Sequence, residues 1–501
     1  MLQRNKIIFS LVFLFLILNF LIPDFKINSR TIVTYEQLFP EKTVIAACED
    51  DPPSPAIPKA GSQLLKPDLP IRERVEPVPM PAQVKGVYAT GWAAGSSLLF
   101  PRLLDFIDQT EINSIVIDIK DDSGLLSYQS VSPMVNAIKS WNLKIQDPSK
   151  LLRILKKRQI YPIARIVVFK DPFLAEKRPD LAIKDKDGEI WRDYRGLAWV
   201  DPHNKEVWAY NIEIAKEAVN LGFPEIQFDY VRFASDGDLT NCVYPFSDGT
   251  SKEDVIKEFL LYAQEELKPL GATVSADIFG LACSAKDDLF IGQKLEKIAE
   301  AVPIISPMVY PSHYAKGSYG LSNPDLSPYE TVLQSLKDAK ARLEGYPVNL
   351  RPWLQDFSLE NKYGSKQIRA QIQAVLDAGV EDWIFWNPSC RYDVAKYLIK
   401  DKIRTVANNP QEVNEEEEPI VAAKGEGSTN QYNSQEKTMR EHIFQDEQTN
   451  LYQAGLEEDT GFEPEEEAIT HQREGAEEDT LPYQREEVTI PKETSGAREE
   501  F

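Results

Sequence analysis

The chain has 501 residues, 79 acidic and 56 basic, and a formal net charge of −23 at neutral pH. The charge is uneven: Gln411 to Phe501 holds 26 acidic against 7 basic side chains, a net of −19, which leaves −4 for everything before it. A body this close to neutral has no basic excess with which to neutralise a phosphate backbone, so nucleic acid is excluded as a partner. Four cysteines without Cys-x-x-Cys spacing (Cys48, Cys242, Cys283 and Cys390) exclude a disulfide scaffold and the usual zinc and dithiol motifs.

The chain opens with Arg4 and Lys6 ahead of an uncharged apolar run from Ile7 to Ile22. No small-x-small cleavage site follows, so 1–23 reads as a signal anchor, with a cleaved signal peptide as the alternative. The basic flank places the N-terminus in the cytoplasm and the rest outside. This predicts a protein that is membrane-anchored with its body outside the cytoplasm, or secreted. Residues 24–83 become proline-rich from Asp51 (DPPSPAIPK, VEPVPMPAQ) and read as an extended linker. From 405 to 501 the chain is acidic and poor in apolar clusters, which predicts a disordered tail, since little surface is available to offset the entropy of ordering.

Between linker and tail, over 84–404, eight short apolar runs alternate with helical patterns. The runs are VKGVYAT (84–90), SIVIDIK (114–120), PIARIVVF (162–169), EIQFDY (225–230), ATVSADI (272–278), PIISPMVY (303–310), VNLRPWL (348–354) and DWIFWN (382–387). Continuous apolar character suits strands covered on both faces, as in a parallel sheet. Between the third and fourth runs, Val207, Tyr210, Ile214, Ala218 and Leu221 keep helical spacing up to Gly222. Between the last two, Ser365 is placed to cap a helix carrying Ile368, Ile372, Val375 and Leu376, with Gly379 as its left-handed stop. Eight right-handed strand–helix repeats return the sheet to its start, which predicts an α/β fold, a (β/α)₈ TIM barrel. An open doubly wound sheet would ordinarily carry a Gly-rich phosphate loop, and neither GxGxxG nor a P-loop occurs.

In such a barrel the active site is built from residues at the C-terminal strand ends. There the sequence places Trp92, Asp118 with Lys120, Lys170, Asp229 with Arg232, Asp277, Tyr310 with His313, Trp353 with Gln355 and Asp356, and Trp386 with Asn387. Carboxyls beside flat aromatic faces fit sugar chemistry: two acids for the glycosidic oxygen and anomeric carbon, and apolar platforms for sugar C–H faces. Asp229 and Asp277, ending adjacent strands, are the candidate catalytic pair. Asp277 must have a raised pKa to act as an acid near neutrality. The structural alternatives are an Asp229–Arg232 ion pair and a capping role for Asp277. Trp92, Asp118, Lys170, Arg232, Tyr310, His313, Trp353 and Trp386 are candidate substrate-binding residues, with Asp118 in support and open to a salt bridge with Lys120. Trp191 and Trp199 are further candidate platforms, and His203 in VDPHN reads as a turn or cap residue. A Cys242–Cys283 bridge and unpaired thiols both remain open. No HExxH or GxSxG motif occurs, so neither a zinc hydrolase nor a serine hydrolase is indicated, and the predicted chemistry needs no cofactor.

The motifs VKGVYATGW, IVIDIKDDSG, VDPHN followed by IQFDYVRF, VSADIFG, SPMVYPSHY and RPWLQDF resemble those of the putative glycosyl hydrolase domain family, a bacterial TIM-barrel group. The resemblance runs from about Val84 to Lys400. It implies a glycosidase-like barrel in which Asp229 corresponds in place to the nucleophile of α-amylase-like enzymes. Those enzymes often take their acid from the end of the fifth strand, where Asp277 falls, with Glu there more usual than Asp. The expectation is a glycoside hydrolase acting on an extracellular or cell-envelope polysaccharide or oligosaccharide. The rivals are a non-catalytic carbohydrate-binding barrel of the envelope and a structural protein acting through its acidic tail.

Overall fold

The computed structural model describes residues 72–400. The apolar segment 1–23, most of the linker and the tail from 405 onward lie outside the described residues. Among the described residues no helix is long and apolar enough to cross a membrane. The order is β1 Lys85–Ala89, α1 Leu99–Gln109, β2 Ser114–Lys120, α2 Pro148–Lys157, β3 Tyr161–Val167, α3 Lys205–Leu221, β4 Glu225–Asp229, α4 Lys252–Leu267, β5 Thr273–Phe279, α5 Leu295–Ala299, β6 Ile304–Met308, α6 Pro328–Arg342, β7 Asn349–Leu350, β8 Trp353–Gln355, α7 Ser365–Asp377 and β9 Trp383–Trp386.

Every strand pairing is parallel, and β1 pairs with β2 through Gly86↔Ser114 and with β9 through Gly86↔Ile384, so the sheet closes on itself. β7 and β8 are two pieces of one stave, both on β6, interrupted at Arg351–Pro352 because proline has no N–H to give the ladder. The barrel therefore has eight staves, with helices outside, in the arrangement of a TIM barrel. All eight strands read from the apolar runs are present within two residues of their expected ends, apart from this break.

Side chains alternate across each stave. On β4, Ile226 and Phe228 pack outward, Phe228 against Phe259 of α4 at 5.3 Å between rings. Glu225, Gln227 and Asp229 point into the barrel and give it a polar shaft. At the base of the shaft, Glu225 is fully buried and is bound by Arg351 (Nη1 at 3.1 Å, with Nη2 also bonded), Tyr161 Oη at 3.0 Å and Ser275 Oγ at 2.6 Å. Four donors on one carboxylate supply the hydrogen bonds that a buried ion pair needs to offset its desolvation.

Two local expectations change. The N-cap of α7 is Gly364, whose N–H donates to Gln367 Oε1 at 3.1 Å, while Ser365 is the first helical residue and bonds Ala395 O at 3.2 Å. Lys120 does not pair with Asp118. A register shift between these residues turns Lys120 outward, where its Nζ is 2.7 Å from Asp171 Oδ2 and 3.1 Å from Asn211 Oδ1 of α3. Cys242 and Cys283 are both free thiols.

Gly222 ends α3 at φ 122°, and the last helical carbonyl, Leu221 O, accepts the Val75 N–H at 3.0 Å. A Cβ at Gly222 would lie 2.2 Å from Val75 O. Gly222→Ala should therefore cost roughly 1–3 kcal/mol, read from the urea midpoint, by combining left-handed strain with displacement of the Val75 strap.

Candidate active site at the C-terminal end of the barrel

Arg165 lies mid-way along β3 in an otherwise apolar run, on the inward face set by Tyr161 and Ile163. Its guanidinium fills the upper shaft. Nη1 is 2.5 Å from Asp118 Oδ1 of β2, and Nε and Nη2 are 3.0 and 2.5 Å from Asp229 Oδ2 of β4. Nε is also 4.0 Å from Asp277 Oδ2 of β5. Tyr88 and Trp386 stack at 3.8 Å, and the guanidinium lies 5.8 and 5.2 Å from their ring centroids. One cation on β3 thus faces three carboxyl groups, from β2, β4 and β5, flanked by two aromatic rings.

The three carboxyls differ in surroundings. Asp229 accepts the Tyr230 N–H at 2.5 Å in addition to Arg165, and its residue borders the open pocket. Asp277 is fully buried. Its Oδ1 accepts Gln227 Nε2 and Trp353 Nε1, each at 2.7 Å, while Oδ2 has no hydrogen-bond partner. Burial first, and then the negative charge of Asp229, hold the Asp277 carboxyl well above the usual range and favour its neutral form. Burial pushes Asp118 up to about 6 against the pull of Arg165, and Tyr88 Oη donates to its Oδ2.

Asp118 makes stability depend on pH in an unusual direction. Its folded-state pKa lies above its unfolded value, so the folded protein holds the proton more tightly between about pH 4 and 6. The contribution is complete below the unfolded pKa and is lost as pH rises through about 6. Asp118→Asn should abolish a loss of about 3 kcal/mol over that window. Urea unfolding of wild type and variant at a series of pH values reads the difference.

Above the cluster opens a pocket with a cavity volume of about 60 Å³, lined by Arg165, Asp229, Tyr230, Arg232, Phe279, Met308, Tyr310, His313, Trp353 and Trp386. Of the expected substrate-binding residues, Arg232, Tyr310, His313, Trp353 and Trp386 reach this pocket. Asp118 lies beneath it. Lys170 is buried beside it, with Nζ 3.4 Å from Asp122 Oδ2 and 4.9 Å from the Tyr230 ring centroid. Trp92 is 58 % exposed on the short helix Gly91–Gly95 and does not line the pocket. Trp191 and Trp199 are buried away from the pocket wall, their indole N–H groups bonded to Asp238 O and Asp193 Oδ2.

Arg232 does not pair with Asp229. Its Nη1 bonds Phe233 O at 3.1 Å and Ser235 Oγ at 2.8 Å, and its guanidinium lies over Trp199, Tyr230 and Phe279 at 4.6–5.0 Å. The residue that holds Asp229 is Arg165, which the sequence reading passed over. Its signal was a lone charge inside PIARIVVF on the inward parity. Tyr88 in VKGVYAT is likewise a lone polar group inside its run on the inward parity. Burial pushes the pocket-lining His313 down to about 4, so its imidazole is neutral at physiological pH. His203 sits in the turn before α3, bonded to Asp201 Oδ1 at 2.8 Å, and the cap of α3 is Asn204.

No curated protein matches the chain. Among solved structures it is similar to a hypothetical protein from Ruminiclostridium thermocellum ATCC 27405, at 44 % identity over 38 % of this chain and 96 % of that one, with a TM-score of 0.36. It is also similar to the PgaB (BpsB) glycoside hydrolase domain from Bordetella bronchiseptica, at 12 % identity over 62 % of this chain and 95 % of that one, with a TM-score of 0.45. A third is the Flavobacterium johnsoniae chitobiase, at 13 % identity over 63 % of this chain and 48 % of that one, with a TM-score of 0.41. The sequence model of the family described as "Putative glycosyl hydrolase domain" matches residues 86–392, spanning every stave of the barrel, and the chain belongs to that family.

Proposed function

We propose that this barrel hydrolyses, or transfers at, O-glycosidic bonds of an extracellular or cell-envelope polysaccharide. Asp229 acts as nucleophile or charge stabiliser and Asp277 as general acid/base. The observation that supports this most is the contrast between two carboxyls on adjacent staves. Asp229 borders the pocket and is ion-paired with Arg165, whereas Asp277 lies buried beside it and is biased towards its neutral form. Environments that push neighbouring carboxyls into opposite protonation states are how glycosidases divide the roles of acid and nucleophile.

In this reading Arg165 keeps Asp229 oriented, and Gln227 and Trp353 fix one oxygen of Asp277, which leaves Oδ2 as the proton-bearing atom. Trp353, Trp386 and Tyr310 supply apolar faces for sugar rings. Trp386 presents its ring to the pocket, while its indole N–H is buried and has no protein hydrogen-bond partner. Membrane anchoring through residues 1–23, or secretion, belongs to the same proposal, since it would deliver the barrel to envelope glycans.

The rival with an observation in its favour is a carbohydrate-binding barrel without turnover. Asp229 takes two N–H groups of Arg165, and Asp277 has no exposed atom in the closed shaft. Product analysis of the full chain against bacterial cell-wall and exopolysaccharide fractions separates the readings, with titration of wild type and Asp229→Asn alongside. Released sugars from wild type, with binding but no products from the variant, support the hydrolase. Equal binding and no products from either support the binding barrel.

A further inference from the structure

We propose that a second cavity, walled by the loops after β2 and β3, holds the adjoining neutral sugar residues of the polysaccharide, so that the protein grips a chain and not only one terminal sugar. This rests on the carbohydrate reading of the Asp229 pocket. The cavity has a volume of about 710 Å³, is open to solvent, and is lined by Asp122, Ser123, Phe173, Glu176, Lys177 and Arg195, among others.

The two cavities share no lining residue but are linked through one buried side chain, Lys170. Asp122 lines the second one and bonds Lys170, whose Nζ lies over the Tyr230 ring, and Tyr230 lines the first. Tyr230 and Asp122 thus lie on either side of Lys170, one in each cavity.

The walls are preformed. Gly124, at φ 83°, lets the β2 loop press on the head of the short helix Pro172–Lys177, where an added Cβ would lie 2.0 Å from Asp171 Oδ1. Asp171 caps that helix at Leu174 N, at 2.8 Å, and is anchored by the buried Lys120 at 2.7 Å. On the far side, Arg192 ties the 190s loop to Glu176 at 2.5 Å. A site held in this way does not spend binding energy on ordering its own loops.

Its chemistry selects the ligand class. Two carboxylates (Asp122, Glu176) and two cations (Lys177, Arg195) line it, so the lining residues carry no net charge among themselves. Phe173 offers an apolar ring with Lys177 Nζ 5.6 Å from its centroid, and the charged groups supply donors and acceptors for hydroxyls. That combination suits uncharged sugar residues.

The test uses the full chain as wild type, Phe173→Ala and Arg195→Ala. Each is assayed by turnover and by calorimetric titration on gluco-, manno-, galacto- and N-acetylglucosamine oligosaccharides from dimers to octamers. The expected result is kcat/KM rising with length by about tenfold in wild type. The rise should be lost in Phe173→Ala, with turnover of the shortest cleaved oligomer unchanged and an intact urea midpoint. Length-independent turnover, or a length dependence that both variants keep, overturns the cavity proposal and leaves the hydrolase reading standing. Length-dependent binding without turnover, abolished in Phe173→Ala, supports the cavity and removes the hydrolase. No binding and no turnover for any oligomer overturns both.

Discussion

An Asp229→Asn variant is expected to fold, to bind the polysaccharide within a few-fold of wild type, and to turn it over about 10⁴-fold more slowly. The substitution keeps the shape of the side chain and one oxygen for Arg165, but it removes the charge that would attack or stabilise the anomeric carbon. It also removes the neighbouring charge that helps keep the Asp277 carboxyl neutral, so the acid should titrate lower than in wild type. A pH–rate profile of the residual activity would then lose rate at lower pH on its alkaline side. A merely structural role for Asp229 would lower folded protein without moving that limb. Full retention of turnover would remove Asp229 from the chemistry altogether.

The second large effect is expected at Arg165. Arg165→Met leaves three carboxyl groups of the upper shaft without their cation, and removing one partner of a buried ionic cluster costs about 3–5 kcal/mol. The loss should be greatest near neutral pH and should shrink on acidification, because Asp118 can relieve it by taking a proton. Urea unfolding of wild type and Arg165→Met at several pH values measures this directly. A deficit independent of pH would mean that the guanidinium acts by filling space between Tyr88 and Trp386. Arg165→Lys keeps the charge but not the fork that serves Asp118 and Asp229 together, so it should recover stability better than turnover.

Most of the barrel was legible because its strands are covered on both sides and therefore read as unbroken apolar runs. IVID, IARIVV and IQFD announce strands without a competing helical period, and Gly222 and Gly379 mark helix ends at positive φ. The same property hid the site's organiser. A search for polar residues at the end of each run finds Asp229 and Asp277, but Arg165 sits inside its run, and only strand parity and the closed topology show that it faces the same axis as they do. Partners adjacent in sequence misled for a related reason. Asp118 and Lys120 are two apart and should share a face, but the register shift between them sends Lys120 out to Asp171. Asp229 and Arg232 are three apart, and the turn at Tyr230, with φ 48°, separates their side chains. Position along the chain does not distinguish Trp386 on the pocket wall from Trp199, which packs against Arg232 and Tyr230 behind it.

The polar shaft running from Glu225 and Arg351 up to Asp229 and Arg165 has a consequence for how this protein can change. An oily barrel interior drifts easily, since one aliphatic residue can replace another of similar volume at small cost. Here the axis carries donors and acceptors committed to partners on other staves, Glu225 to Arg351, Tyr161 and Ser275, and Asp229 to Arg165, so single exchanges there strand a charge and their effects are strongly non-additive. Variation in this lineage should therefore pass through paired replacements along the axis. One-at-a-time substitution should fall mainly in the rim loops, where a new sugar preference can be tried without disturbing the column of bonds beneath.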